Sequence, residues 1–339
     1  VDLQGSVVTA GFWNSHIHLT EDVWRYSGPV DGEQLQREID DMLLSRGFVG
    51  AVDLGSNIFS TRAVRRRIES GELRGPAILT AGAGIRPWRG VQFYIKDELP
   101  WLLRTLLPTP LSAAGARRTV LRQAGRGADV IKLFTGSYVA PDSVKVMSPT
   151  VAKAATQEAH RKGIRVLAHA SNREGTEVAI QAGVDALAHV PDQTAGTEAL
   201  LAEAARRGVR VIPTFHMFAS TVRSDEDYLG PIRDSFAGFL RLGGRALFGT
   251  DVGYMRDRRT EPEFEAMAAS GMSSADILRS LTVEPVEFFA VAGDGTVREG
   301  APADLTVLAT NVEPKATDFA NIRAVIRNGR MMYRTTTHS

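Results

Sequence analysis

The chain of 339 residues contains no cysteine. Disulfide bonds, zinc held by cysteine thiolates and a cysteine nucleophile are therefore excluded, although the redox compartment is left undetermined. No apolar run approaches the roughly 20 residues that a membrane-spanning helix needs, so we expect no membrane as a partner. The formal net charge of +1 likewise gives no reason to expect nucleic acid as a partner.

The start of the chain has little that resembles a targeting signal. Val1 stands where an initiator methionine would be, and no positively charged segment followed by an apolar core comes after it. We therefore expect that an upstream portion was removed or is encoded separately. The compartment stays open between the cytoplasm and, if an upstream signal was removed, the periplasm or the exterior.

Short apolar runs alternate with helical patterns from residue 7 to about residue 290. Most of the runs are continuously apolar, which is typical of parallel strands buried on both faces. Segments 34–44, 151–160 and 197–205 have helical period. This alternation predicts an α/β fold, a (β/α)8 barrel of the TIM type, with a doubly wound open sheet as the alternative. The eight predicted strands are 7–18, 49–54, 77–82, 129–134, 165–169, 186–190, 210–215 and 246–251.

Two segments depart from this alternation. The insert 85–126 follows the third strand on the side where barrel active sites form, so it either covers a pocket or packs on its own aromatic side chains. After residue 294 come short apolar runs and Asn328-Gly329, a hairpin signal. The tail thus resembles part of a small β-sandwich domain that is incomplete on its N-terminal side. We predict three parts: 1–6 as a remnant of the small domain, 7–294 as the barrel, and 295–339 as the C-terminal strands of the small domain.

Polar residues stand at the ends of several predicted strands. His16 and His18 end the first strand, and they share one face because side chains alternate along a strand. The carboxyl ends of barrel strands converge on one rim, where such residues would come together and could hold a divalent metal. The full set consists of His16, His18, Lys132, His169, His189 and Asp251.

This set resembles the metal ligands of the amidohydrolase superfamily, in particular of members whose two metals are bridged by a carboxylated lysine. Gly11-Phe12 and segments 249–251 and 300–305 are also typical of its imidazolonepropionase-like and prolidase-like branch. The resemblance covers nearly the whole chain. It implies two divalent metal ions, of which zinc suits imidazole and carboxylate donors best. It also implies a small β-sandwich that is begun by residues upstream of the barrel.

The resemblance implies a role for each residue of the set. The first two histidines would bind the more buried metal, the last two histidines would bind the second metal, and a carboxylated Lys132 would bridge both. Flanked by Ile131 and Leu133, Lys132 would be desolvated, so its neutral amine could react with carbon dioxide. Asp251 would bind a metal, take a proton from the bridging water as general base and later give it to the leaving group.

These features predict a hydrolase that cleaves an amide bond of a small molecule. An N-acyl amino acid, a dipeptide or a cyclic amide would be attacked by a hydroxide that bridges the metals. Tyr138 and His216 lie just after their strands and would contact the substrate. A lactonase or a phosphotriesterase could use the same site. A non-catalytic barrel that serves as a binding or assembly subunit is the alternative from a different class, and a homo-oligomer is left open.

Overall fold

A computed structural model gives the structure of the protein and describes residues 3, 5–25, 27–96 and 104–335. The predicted segments 1–6, 85–126 and 295–339 therefore fall partly outside the described residues. The described residues contain twelve strands, numbered here in chain order. They are β1 (Val8–Ala10), β2 (Phe12–Ile17), β3 (Phe48–Asp53), β4 (Ala77–Thr80), β5 (Val130–Ala140), β6 (Ser143–Val146), β7 (Arg165–Ala170), β8 (Ala186–Leu187), β9 (Arg210–Val211), β10 (Leu305–Leu308), β11 (Ile322–Arg327) and β12 (Arg330–Arg334).

These strands form three sheets. An antiparallel sheet has the order β1-β10-β11-β12. A parallel sheet consists of β2, β3 and β4. The third sheet has the order β6-β5-β7-β8-β9 and is parallel apart from the β5–β6 hairpin. The protein is thus a mixed α/β fold, as the sequence predicts.

Helices connect most of the parallel strands, and local sequence explains where they begin. In helix Gly32–Met42 the Asp31 side chain accepts a hydrogen bond from the Gln34 amide, and Leu35 and Ile39 lie on the buried face. None of the helices in the described part of the chain has the length and apolar character that crossing a membrane would require. The described α-helices are Asp22–Arg25, Gly32–Met42, Ile58–Glu69, Phe93–Lys96, Ala113–Gly125, Pro149–Arg161, Arg173–Ala182, Glu198–Arg206, Phe215–Thr221, Glu226–Arg241, Glu261–Ala269, Ser274–Leu281 and Val283–Phe289.

The predicted first strand, 7–18, is two strands that belong to different sheets. β1 pairs with β10 of the antiparallel sheet, whereas β2 pairs with β3. Gly11 lies between them, and a Cβ atom on this residue would lie 2.3 Å from Cγ2 of Val49. Glycine therefore permits the close approach at which the chain passes from one sheet to the other.

The predicted eighth strand, 246–251, is not a continuous strand in the structure. Single parallel bridges at Ala246 and Val252 link this segment to β9 and β2 instead. Asp251 has a φ of 60°, a left-handed backbone conformation that interrupts an extended strand. Another single bridge links the segment after β4 to β5. In the described residues the parallel strands thus lie in two sheets joined by isolated bridges, rather than in one continuous ladder.

The antiparallel sheet is hydrogen-bonded to the N-terminal ends of two parallel strands, β2 and β3. Thr306 of β10 accepts a hydrogen bond from the Phe12 amide at 3.1 Å and donates one to the Gly47 carbonyl at 2.8 Å. One buried hydroxyl therefore ties β10 to the beginnings of β2 and β3. The β11–β12 hairpin turns at Asn328 and Gly329, whose φ values of 51° and 72° suit a two-residue type I′ turn. The predicted hairpin is confirmed.

Candidate metal centre

The predicted ligand set comes together where β2, β7 and β8 end, beside Lys132 of β5 and the loop that contains Asp251. The centroid of the His16 ring lies 5.3 Å from that of His18 and 4.8 Å from that of His189. The rings of His169 and His189 are 4.7 Å apart. The four histidines therefore form one cluster, and His16 and His18 lie side by side as strand alternation predicts.

The carboxylate of Asp251 lies against three of these imidazoles. Its Oδ1 atom is 2.9 Å from Nε2 of His18 and 3.3 Å from Nε2 of His16. Its Oδ2 atom is 3.6 Å from Nε2 of His189. The ligand atoms of His16, His189 and Asp251 all lie within 4.8 Å of one another, and all three residues are buried. This spacing is close enough for the three to share one metal ion.

Hydrogen bonds assign the protons of two of the imidazoles. Nδ1 of His16 lies 2.9 Å from the carbonyl oxygen of Ala188, which can only accept, so this nitrogen carries the proton. Nδ1 of His189 lies 2.6 Å from the Thr214 hydroxyl. That hydroxyl donates to the Pro213 carbonyl at 2.7 Å and must accept from His189. Both imidazoles therefore direct an Nε2 lone pair toward Asp251.

These tautomers bring buried hydrogen-bond acceptors face to face. Burial lowers the pKa of His16 and of His189 well below the ordinary value, so both rings are neutral at pH 7. Nε2 of His16 and Oδ1 of Asp251 are buried, and neither has a hydrogen-bond partner among the described residues. Two acceptors that face each other repel unless a cation lies between them. These residues therefore fit a divalent metal, and imidazole with carboxylate suits zinc best.

Lys132 lies in β5 with its side chain fully enclosed. Burial lowers its pKa to about 7; the Asp251 carboxylate opposes this shift and the Arg86 guanidinium adds to it. A large fraction of the amine is therefore neutral near pH 7, as the flanking apolar residues predict. A neutral amine does not repel a dication and can react with carbon dioxide.

His169 of β7 is hydrogen-bonded through Nε2, whereas His16 and His189 are hydrogen-bonded through Nδ1. Its Nε2 atom lies 2.9 Å from the Ser171 hydroxyl, which leaves Nδ1 as the nitrogen available to a ligand. Burial, followed by the charge of Lys132, lowers the pKa of His169 to about 3. This imidazole is therefore neutral at pH 7, as are those of His16 and His189.

The two predicted substrate contacts are bonded to acidic residues. The Tyr138 hydroxyl donates to Oδ2 of Asp192 at 2.7 Å. His216 lies at the start of helix Phe215–Thr221, and its Nε2 atom is 3.1 Å from Oδ2 of Asp257. Neither contact joins the histidine cluster directly. The assignment of Tyr138 and His216 as substrate contacts therefore stays a prediction.

Sequence reasoning missed the residues that orient the ligands. The Asn14 side chain accepts from the amides of His16 and Thr250, each at 3.2 Å, and donates to the Thr250 hydroxyl at 2.8 Å. It thereby ties β2 to the loop of Asp251. Its signal in the sequence is a polar residue two positions before His16 on the same strand face. Thr214 has no comparable signal, because its bond to His189 joins two distant segments.

The described part of the insert 85–126 contacts the loop that follows Asp251. The Tyr94 ring lies 5.3 Å from the ring of Tyr254, three residues after Asp251. Burial, followed by the charges of Tyr254 and Asp251, raises the pKa of Tyr94, so its phenol stays protonated at neutral pH. These contacts favour the expectation that part of the insert covers the pocket.

Comparison with family sequence models identifies one family, and curated proteins and solved structures supply further relatives. A sequence model described as the Amidohydrolase family matches residues 7–332. Uncharacterized proteins of Mycobacterium bovis and Mycobacterium tuberculosis are each 30% identical to this chain over 176 residues. The matched segment is 47% of this chain and 46% of those proteins, so the chain spans about half the length of the curated relatives it matches.

Solved structures share the fold. An Xaa-Pro dipeptidase with bound methionine has a TM-score of 0.80 at 22% identity, over 99% of this chain and 88% of its own. The ochratoxinase of A. niger has a TM-score of 0.79 at 21% identity, over 97% of this chain and 84% of its own. The family match extends over nearly the whole chain and confirms the resemblance that the ligand set indicates: the protein belongs to the amidohydrolase family.

Proposed function

We propose that the protein is a metal-dependent hydrolase that cleaves an amide C–N bond of a small molecule. The observation that carries this proposal is the buried cluster in which neutral His16 and His189 direct lone pairs at Asp251. Two divalent ions bound there, best of all zinc, would polarise the scissile carbonyl and acidify a water molecule. The dipeptidase among the solved relatives supports amide chemistry by analogy of fold.

The protein residues hold the site and move the proton. The carbonyl of Ala188 and the hydroxyl of Thr214 keep His16 and His189 in the tautomers that present Nε2. Asp251 takes a proton from the attacking water and gives it to the leaving nitrogen. The neutral Lys132 amine forms a bond to the carbon of carbon dioxide and releases one proton, and the anionic carbamate then offers two oxygens to the metal site.

We further propose that this site lies in an eight-stranded barrel. Hydrogen bonds support closure at the gaps between sheets: the Asp129 amide donates to the Thr80 carbonyl at 2.8 Å, and the Ser15 amide donates to the Phe248 carbonyl at 2.7 Å. Segment 246–252 would then take the eighth strand position. The division into 1–6, 7–294 and 295–339 stays a prediction. The pairing of β1 with β10 favours moving its first boundary to Gly11.

Metal analysis and a substrate panel test the proposal directly. Protein purified without chelator should contain about two transition-metal ions per chain, as the family's binuclear sites imply, and should hydrolyse amides in preference to lactones or phosphotriesters. Metal-free protein with full hydrolytic activity would overturn the metal role. Preferred turnover of a lactone or phosphotriester would replace the amide assignment, and metal-loaded protein inactive on the whole panel would favour a binding or assembly subunit.

Lys132→Ala tests the bridging lysine. We expect loss of activity and of bound metal, because alanine cannot supply the anionic oxygens, and partial recovery of metal binding when a short carboxylic acid such as propionate is added. Lys145→Ala is the matched control, since Lys145 is an exposed lysine of β6, the strand that pairs with β5. Turnover of Lys132→Ala at the level of the Lys145→Ala protein would contradict the bridging role.

A further inference from the structure

Arg86 is a buried cation beside the metal centre. It follows β4 at the start of the insert 85–126, and only 6% of its surface is exposed. Its Nε atom donates to the Gln92 side-chain carbonyl at 2.9 Å, and its Nη1 atom donates to the Gly84 carbonyl at 2.8 Å. These two bonds fix the plane of the guanidinium, and neither of them uses Nη2.

One phenyl ring links this guanidinium to the predicted ligands. Cζ of Arg86 lies 4.5 Å from the centroid of the Phe134 ring. The same ring centroid lies 5.5 Å from Nζ of Lys132 and 5.3 Å from the His169 ring. Arg86 therefore belongs to the wall of the metal centre, although its residue type and position formed no part of the predicted ligand set.

Among the described residues, no neighbouring acid balances the charge of Arg86. Among the described residues, no Asp or Glu oxygen lies within 4.0 Å of its guanidinium, and both described hydrogen bonds go to uncharged oxygens. Burial lowers the pKa of Arg86 to about 10, so the side chain still carries its charge at pH 7. A buried cation without a counter-ion is costly, and proteins normally pair such a group.

The nearby carboxylates have other partners. Asp251 faces the histidines, and Asp192 accepts from the hydroxyls of Tyr138 and Tyr228 at 2.7 and 3.4 Å. The site therefore has a fixed positive group whose counter-ion is free to come from the ligand. The planar fork of an arginine matches the two oxygens of a carboxylate.

We propose that Arg86 binds the carboxylate of the substrate, so that the substrate is an N-acyl amino acid or a dipeptide rather than an uncharged cyclic amide. This inference rests on the proposed amide hydrolysis and narrows its substrate class. Arg86 acts as a specificity residue: it recognises the end of the amino acid while Asp251 and the histidines serve the scissile bond.

Matched substrate pairs test this role. In each pair, one member has a carboxylate where the other has an uncharged carboxamide. Suitable pairs are N-acetyl-leucine with N-acetyl-leucinamide, and glycyl-leucine with glycyl-leucinamide. We expect the wild type to prefer the carboxylate member, and Arg86→Gln to lower kcat/KM for that member about 100-fold while leaving the carboxamide nearly unchanged. Arg86→Lys, which keeps the charge but not the fork, should fall in between. Arg89→Gln is the control, because Arg89 is an exposed arginine of the same loop.

Binding to metal-free protein separates this inference from the proposed function. Calorimetric titration of N-acetyl-leucine and N-acetyl-leucinamide into metal-free wild type should show tighter binding of the carboxylate, and Arg86→Gln should remove the difference. If no pair is hydrolysed by metal-loaded wild type, amide hydrolysis fails, yet the carboxylate preference in binding still supports Arg86. Equal binding of both probes by the wild type, or an equal fall for both in Arg86→Gln, would overturn the inference.

A structural ion pair is the competing explanation for Arg86. Asp97 and Glu98 belong to the segment outside the described residues, and the double variant Asp97→Asn, Glu98→Gln removes both acids. We expect this variant to keep the carboxylate preference of the wild type. If it instead loses that preference and lowers the melting temperature as much as Arg86→Gln does, Arg86 serves the fold and the inference is wrong.

Discussion

Replacement of Thr214 by valine tests how the protein orients a predicted metal ligand. The Thr214 hydroxyl accepts from Nδ1 of His189 at 2.6 Å and donates to the Pro213 carbonyl at 2.7 Å. Valine has the same branched shape as threonine, so the left-handed φ of 53° at this position strains both proteins alike. The substitution therefore removes a hydrogen bond without a new backbone conformation.

Two effects follow from this loss. A buried N–H of His189 left without a partner destabilises the folded protein by about 1–3 kcal/mol. The imidazole can also rotate or place its proton on Nε2, which then no longer offers a lone pair to a metal. Loss of such an outer hydrogen bond typically weakens metal binding about 10–100-fold. We expect that range for Thr214→Val.

Competition for zinc against a chromophoric chelator measures the affinity of each metal-free protein, and thermal unfolding of the same samples reports the fold. Thr156→Val is the matched control, since the Thr156 hydroxyl is buried in helix Pro149–Arg161 and has no partner among the described residues. Equal zinc affinities of Thr214→Val and Thr156→Val, with both proteins folded, would refute the reasoning about the tautomer.

Two further substitutions give sharp expectations. Burial raises the pKa of Glu263 from 4.5 to about 8, so the folded protein binds a proton that the unfolded chain has lost, and its free energy of unfolding falls as pH rises between these values. Glu263→Gln lacks this effect, so its free energy of unfolding in urea should rise relative to that of the wild type by up to about 5 kcal/mol between pH 4.5 and pH 8.5. A difference between the two proteins that does not change with pH would contradict the raised pKa of Glu263 as its cause. A Cβ at Gly253, where φ is 94°, would lie 1.8 Å from the His18 carbonyl oxygen, so Gly253→Ala should lower both melting temperature and zinc content. Gly163→Ala, with a φ of 69° and no heavy atom within 4 Å, should show only the smaller effect of the backbone conformation, and equal losses in both would refute the clash.

The sequence predicted the elements that depend on local pattern. Helical period placed three helices within two residues of their ends, and strand alternation placed His16 and His18 side by side. The six-residue set also led to the right family, because its spacing encodes which strand contributes each group. Such patterns can be read from the sequence because each depends on residues that are neighbours along one helix or strand.

The parts that the sequence did not reveal depend on contacts between distant segments. An apolar run from residue 7 to 18 cannot show that its two halves pair with different sheets, since both halves are buried. The backbone of Asp251 turns into the left-handed region, which no pattern in 246–251 announces. The same holds for Thr214, whose hydroxyl matters only because His189 lies opposite it.

The hydroxyl of Thr306 has a consequence for synthesis on the ribosome. Its partners Phe12 and Gly47 precede it by 294 and 259 positions. Translation therefore delivers β2, with His16, long before β10 arrives to complete the bonds at its start. Contacts of such large sequence separation form slowly, and the early strands remain exposed to aggregation or to chaperones in the meantime. The strand that carries His16 is thus translated early, but the hydrogen bond from its first residue to Thr306 can form only after β10 has been synthesised.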